Sequence, residues 1–326
     1  MTAYSSDGGP FNTGRMGFGC AYITAGFEKR RNLKLLRCAF DSGIRHYDTA
    51  PMYGHGTSEE VVGEAFKKLR GQLSITTKVG ISRPSFTLKT KLLRAIATPV
   101  RHKFPELSQK SAATIYGSNP IPKSFAVDDV RRSVEESLSR LSTDYINVLL
   151  LHEATPADIT EELLNTLAAL KSEGRVLQTG VGSSVEDIAL IDRAYPDFFE
   201  IYQRTWSILR TDEKLYPNKT NIYHRCIMEA LGPLRDKLAS DLSFARYMSK
   251  EIGLELSAVD ALARALISAS VFVNPKGITL FGTRRMYRVA DYAQAALSDL
   301  APGIALLKAY REYVEDAPTP TLDEVL

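Results

Sequence analysis

Short apolar runs alternate with longer stretches of helical period along most of the chain, which is the pattern of repeated βα units. Runs at Met16–Cys20, Ile44–Asp48, Leu73–Lys78, Tyr145–Leu151, Val176–Val181, Phe199–Gln203, Ile222–Arg225 and Ile278–Phe281 predict eight strands. Between them, Val62, Phe66 and Leu69 follow a Thr57-x-x-Glu60 capping box. Val130, Val134, Leu138 and Leu141 form a second stripe, and Ile159, Leu163, Leu167 and Leu170 a third, closed by Gly174. Crossovers between parallel strands are right-handed, and eight in succession close a sheet into a barrel with its helices outside. The expected fold is a (βα)8 TIM barrel of the α/β class, with residues 1–326 as a single barrel domain. No GxGxxG follows the first strand, as an open dinucleotide-binding sheet would lead one to expect.

Two segments break the rhythm. Residues 80–125 hold five of the fifteen prolines and eight Lys+Arg against one acid, Glu106, for a charge of +7 on a chain whose net charge is +3. Leu88, Leu92 and Ile96 suggest one short amphipathic stretch there; the rest reads as a long basic loop on the catalytic face, either a solvated flap or a grip on an anionic ligand. Leu209–Thr220 leaves little room for a sixth helix, with at most a turn at Asp212–Tyr216.

The remaining composition, 44% apolar and 24% charged over 326 residues, is that of an ordinary folded protein and excludes disorder and collagen-like repeats. No apolar run approaches the roughly 18 residues of a bilayer span, and the start lacks a basic end followed by an apolar stretch. A cytoplasmic protein with no membrane or nucleic-acid partner is expected. Cys20, Cys38 and Cys226 make no CxxC pair, so packed, reduced thiols are expected rather than disulfides or structural zinc.

Strand ends at the carboxyl face of a barrel point into one shared cavity. Asp48 ends the second strand, Tyr53 follows in its loop, Lys78 ends the third strand and His152 follows the fourth. A carbonyl that accepts hydride needs a proton on its oxygen, and a phenol supplies it if its acidity, near pKa 10 when free, is brought toward working pH. The Lys78 ammonium is expected to do that for Tyr53, with Asp48 as counter-charge and His152 as a hydrogen-bond donor to the carbonyl oxygen. Singly, each has a structural reading: Asp48 as a cap, Tyr53 as turn packing, Lys78 as a snorkelling cation, His152 as a core histidine. Their joint placement on consecutive strand ends favours the chemical reading.

The blocks HYDTAPMYGHGTSEEVVGEA, ITTKVG, DYINVLLLH and GRVLQTGVGSS resemble, in order and spacing, the signature of the aldo-keto reductase superfamily. The resemblance implies a metal-free barrel that reduces carbonyls, or oxidises alcohols, with a nicotinamide cofactor, and it matches Asp48, Tyr53, Lys78 and His152 to the family's catalytic tetrad. It places Gly182, Ser183 and Gln203 at the nicotinamide carboxamide and Arg225 against the nicotinamide ring, as in sugar-dehydrogenase-like branches. FGTRRMYRVADY is similar to the family's phosphate loop, which implies Gly282, Thr283 and Arg284 near phosphate, Arg288 at the adenosine end, and Tyr292 where the family has an adenine-contacting Asn. Arg284, Arg285 and Arg288 favour NADP(H), with NAD(H) possible, because an extra dianionic phosphate asks for charge-assisted donors.

The substrate implied is a small carbonyl compound or sugar. Trp206, Met52 and Phe27 are the expected pocket residues, with core packing as the other reading of Trp206. Two rivals remain: a metal-dependent barrel hydrolase using His46, Asp48, His55 and His152, and a cofactor-binding regulatory subunit with weak turnover. The oligomeric state is not legible.

Overall fold

The computed structural model describes residues 14–84, 122–210, 216, 218–252, 259–298 and 300–314. Strands β1 (Met16–Gly19), β2 (His46–Asp48), β3 (Ser74–Val79), β4 (Ile146–His152), β5 (Val176–Gly182), β6 (Ile201–Thr205), β7 (Thr220–His224) and β8 (Ile278–Phe281) close a barrel in chain order. Each strand is parallel to the next, and β8 pairs with β1 through Gly17↔Leu280. All eight fall within two residues of the apolar runs that predict them, and the (βα)8 TIM barrel is the observed fold.

Side chains alternate between the two faces of each strand. Val148, Leu150, Ile201, Ile222, Ile278 and Leu280 fill the barrel, whereas their immediate chain neighbours Leu149, Leu151, Tyr202 and Tyr223 pack outward against helices. Gly17 makes room for this filling. A Cβ there would meet Leu280 Cδ2 at 2.6 Å and His46 Cδ2 at 2.8 Å.

Helices α1 (Lys29–Asp41), α2 (Ser58–Phe66), α3 (Val127–Leu141), α4 (Glu161–Ser172) and α5 (Val185–Ala194) cover the first half of the barrel. The α3 stripe buries Val130, Val134, Leu138 and Leu141 as the spacing predicts. Thr160 caps α4, its hydroxyl accepting from the Leu163 N–H at 3.2 Å, and Gly174 ends the segment at φ +71°. The Thr57-x-x-Glu60 capping box does not form. The Thr57 hydroxyl instead donates to Gly54 O at 2.7 Å and accepts from the Ala25 N–H at 2.9 Å, tying the β2 loop to the β1 loop.

Among the described residues no helix lies between β6 and β7, and residues 211–215 and 217 are outside them. Three helices instead fill the span between β7 and β8: α6 (Cys226–Ser240), α7 (Leu242–Ile252) and α8 (Val259–Phe272). Then α9 (Met286–Ser298) follows β8, and α10 (Ala301–Val314) packs on α8 and α7. Helix α8 is apolar nearly all round because neighbours enclose it. Of the basic segment, 85–121 lies outside the described residues; Ile81 pairs with Lys123 where its ends meet. No described helix is long and apolar enough to cross a membrane.

Candidate active site

Parity carries the site. His46, Thr76, Leu150, Ile201 and Ile222 face inward, so the residues two positions on, Asp48, Lys78, His152, Gln203 and His224, face inward one layer nearer the carboxyl mouth. A cavity of about 1010 Å³ opens there, lined among others by Asp48, Tyr53, His152, Gln203 and His224.

At its floor, Lys78 Nζ lies 2.6 Å from Asp48 Oδ2, with side-chain exposures of 1% and 5%, and donates to Thr49 O at 3.2 Å. Asp48 Oδ2 also accepts from Gln203 Nε2 at 2.6 Å. Burial pulls the Lys78 pKa below its usual value, and the Asp48 carboxylate pulls back.

Tyr53 begins a tight turn, Tyr53–Gly56, in which Gly54 and His55 have left-handed backbones. Glycine is required at 54: a Cβ there would stand 1.8 Å from Ile23 O, and the Gly54 N–H donates to Ala21 O at 3.0 Å. The turn holds the Tyr53 ring 5.2 Å from the Lys78 ammonium and edge-on to the His152 imidazole, with centroids 5.9 Å apart.

Electrostatically the site differs from the sequence expectation. Burial first, then the Asp48 and Glu153 charges, push the Tyr53 phenol well above its usual pKa. Among the neighbouring charges Arg225 pulls the other way, but burial outweighs it. Tyr53 therefore holds its proton at neutral pH. Burial, with Lys78 adding, lowers His152 to about 3, so its imidazole is neutral. Its Nδ1 is buried without a hydrogen-bond partner among the described residues, which leaves Nε2 as the ring nitrogen open to a cavity ligand.

Elsewhere the wall is made by Gly182, Ser183, Arg225, Gly282, Thr283, Arg288 and Tyr292. Ser183 Oγ donates to Ala154 O at 2.9 Å. Arg225 has a left-handed backbone (φ +62°) where β7 turns into α6, and its Nε lies 3.1 Å from Glu229. Arg288, on α9, pairs with Asp260 at 2.7 Å, and Tyr292 packs edge-on to Phe281. Thr283 Oγ1 accepts from the Arg285 N–H at 3.1 Å just before α9 begins.

Besides Lys78, which is buried against Asp48 beneath the lining, Arg284, Phe27 and Trp206 lie off the cavity wall. Arg284 turns its guanidinium over the Tyr22 ring, 5.3 Å from the centroid, so Tyr22 rather than Arg284 forms the wall. Phe27 is 77% exposed on the short turn Gly26–Glu28 before α1. Trp206 is buried and stacks on Tyr223 at 12° and 6.2 Å, in the cluster outside the barrel. The reason is register: β6 runs to Thr205, two residues past the predicted end, and the Trp206 N–H still bonds to His224 O at 3.1 Å, so alternation turns the indole outward. Met52 does line the cavity. His46 lies in the packing layer, between Ser74 Oγ and Thr76 Oγ1 at 3.3 Å each, below the mouth where His152 stands.

The sequence profile of the aldo/keto reductase family matches residues 13–221, nearly two thirds of the chain. The chain belongs to the aldo/keto reductase family. The matched stretch contains Asp48, Tyr53, Lys78, His152 and Gln203 and ends before Arg225 and Arg288. The chain is similar to the D-threo-aldose 1-dehydrogenase of a Pseudomonas species, 33% identical over 47% of this chain and 44% of that protein. It is also similar to the NADH-specific methylglyoxal reductase of Escherichia coli, 31% identical over 60% of this chain and 56% of that protein. The matched part thus spans about half the length of these curated relatives. A Klebsiella pneumoniae aldo/keto reductase solved with NADP and acetate shares the fold, with a TM-score of 0.64 at 21% identity over 96% of this chain and 94% of that one.

In this aldo/keto reductase barrel, His224 and Glu153 are among the cavity residues that escape the sequence reading. His224 shares the inward parity of Ile222, and that alternation was the available signal; burial lowers its pKa to about 4. Glu153 borders the cavity only because its backbone turns left-handed (φ +56°), which no local pattern announces.

Proposed function

We propose that the chain is a nicotinamide-dependent oxidoreductase that reduces the carbonyl of a small aldehyde or ketone, or oxidises the corresponding alcohol or aldose. The observation that carries this is the buried Asp48–Lys78 pair beneath Tyr53 and His152 at the mouth of one cavity. Family membership supports it.

The cavity suits a dinucleotide. Its floor is kept bare by glycines: a Cβ at Gly182 would stand 3.3 Å from Gln203 Oε1, and one at Gly282 would stand 3.2 Å from Gly19 O. At the far end, Thr283, Arg288 and the start of α9 offer an anion site, since a helix N-terminus and a guanidinium both attract phosphate. Gln203, Ser183 and Arg225 border the end nearer Tyr53. Arg288 is the residue that would favour NADP(H), with Arg284 and Arg285 adding positive potential beside the wall. The Escherichia coli relative is NADH-specific by name and the Klebsiella pneumoniae structure holds NADP, so the preference rests on the arginines of this chain.

A bound reduced nicotinamide supplies hydride to the carbonyl carbon. Tyr53 gives its hydroxyl proton to the carbonyl oxygen, so hydride and proton together make the alcohol. Neutral His152 donates a hydrogen bond to the same oxygen and orients the carbonyl. The Asp48–Lys78 pair holds a fixed dipole under the phenol. Because burial keeps the phenol protonated, Tyr53 holds the proton that reduction requires.

The test is consumption of NADPH and NADH by purified protein across a panel of aldehydes and ketones, with the reverse reaction on the alcohols. Turnover abolished by Tyr53→Phe is expected. Equal or better activity with NADH, unaffected by Arg288→Ala, would overturn the cofactor preference.

A further inference from the structure

Charged side chains that line the cavity are nearly all spoken for. Asp48 pairs with Lys78, Arg225 with Glu229 and Arg288 with Asp260. Asp187 Oδ2 accepts from the hydroxyls of Ser183 and Ser184 at 3.4 and 2.7 Å. Glu153 differs: among the described residues its carboxylate has no ion pair or hydrogen bond, and the residue is exposed at the rim.

Its placement is built. Strand alternation would turn residue 153 outward like Leu149 and Leu151, away from the face of His152. A left-handed backbone, uncommon and strained for a residue with a Cβ, breaks that alternation and leaves the side chain on the cavity wall. Both peptide groups are tied. The Glu153 N–H donates to Gly182 O at 2.7 Å, and its carbonyl accepts from Lys123 Nζ at 3.2 Å. The nearby ammonium does not neutralise the carboxylate, because Lys123 pairs with Asp158 at 2.8 Å. A carboxyl group held in a strained conformation beside the reacting phenol, with no side-chain partner among the described residues, is arranged for something that enters the cavity.

We propose that Glu153 is a specificity-determining residue at the substrate end of the cavity. Its carboxylate accepts a hydrogen bond from a hydroxyl or ammonium group on the carbonyl substrate and turns away carbonyl compounds that carry a carboxylate of their own. This rests on the reading that Tyr53 marks where the carbonyl binds. The substrate class is then a polar, uncharged or cationic aldehyde or ketone with a donor group close to its carbonyl. The opposite end of the cavity, with Arg288 and Thr283, has the positive potential suited to phosphates, so the two ends sort their ligands by charge. Glu153 also acts on Tyr53 directly, adding to the charge that keeps the phenol protonated.

The experiment compares kcat/KM for glyceraldehyde, propanal and succinic semialdehyde, with NADPH, in the wild type, Glu153→Gln and Glu153→Gly. Gln removes the charge and keeps the shape; Gly removes the side chain and suits the left-handed backbone. In both variants the ratio of succinic semialdehyde to propanal is expected to rise about tenfold, the scale of one relieved like-charge contact at a cavity rim. In Glu153→Gly the ratio of glyceraldehyde to propanal is expected to fall about tenfold, the loss of one charge-assisted hydrogen bond. Ratios that stay within twofold of wild type in both variants overturn the assignment while leaving the oxidoreductase reading intact. Wild-type protein that turns over none of the three probes with either cofactor counts against the oxidoreductase reading and removes the inference with it.

Discussion

Replacing Lys78 by Met is expected to destabilise the fold by about 3–5 kcal/mol, the usual consequence of stripping one partner from a buried ion pair. The magnitude follows from the geometry. Lys78 and Asp48 are 1% and 5% exposed and 2.6 Å apart, so the carboxylate left behind is out of water. Gln203 Nε2, at 2.6 Å, then remains its one described side-chain donor. With an unfolding entropy of about 2.1 cal/mol/K per residue over 326 residues, that loss lowers Tm by roughly 4–7 °C. The double variant Asp48→Asn/Lys78→Met removes both charges and keeps the shapes, so it is expected to be more stable than Lys78→Met by about 2 kcal/mol. Urea and thermal unfolding of wild type, Lys78→Met, Asp48→Asn and the double variant, read by circular dichroism, give the coupling energy. A single-variant loss below about 1 kcal/mol, or losses that simply add in the double variant, would refute the view that these charges are buried and mutually compensated.

Tyr53→Phe is expected to lower kcat for carbonyl reduction by about 10²–10⁴, with cofactor Kd by fluorescence titration unchanged; near-wild-type turnover would remove Tyr53 from proton transfer. Because burial keeps Tyr53 protonated and holds His152 at about 3, kcat/KM for reduction should be flat across neutral pH and fall only in alkali as the phenol ionises. An acidic limb near 6.5 would show His152 titrating as a free imidazole. Stability has its own pH dependence. His46 drops from 6.5 in the unfolded chain to about 4 when buried, so protons bind the unfolded state more tightly. Its contribution is complete above pH 6.5 and is lost as pH falls toward 4, by at most about 3 kcal/mol. Urea midpoints at pH 7 and 4.5 should differ less in His46→Gln than in wild type; an equal difference would place the effect elsewhere. Trp206→Ala should cost about 3–5 kcal/mol in urea unfolding without reordering kcat/KM across an aldehyde series, and a changed ranking would return the indole to the pocket.

The barrel is legible because its strands are buried on both faces and read as apolar runs bounded by turn residues, a signal that survives without knowledge of partners. The site is legible where it follows from the two-residue period. Asp48, Lys78, His152 and Gln203 each stand two positions beyond a side chain inside the barrel, so strands placed to within two residues suffice to converge them. What fails is whatever depends on the last residue of a strand or on the field of the folded molecule. Extending β6 to Thr205 turns Trp206 outward, and a left-handed Glu153 turns a rim carboxylate inward; sequence periodicity holds neither fact. The acidity of Tyr53 is a further instance. Sequence adjacency pairs the phenol with a cation, but in three dimensions Asp48 reaches that cation at 2.6 Å, and burial then decides the sign. A proton donor in this mouth is therefore set first by how deeply the phenol is buried and then by the balance of the charges around it, Asp48 and Glu153 against Arg225, rather than by the presence of the lysine.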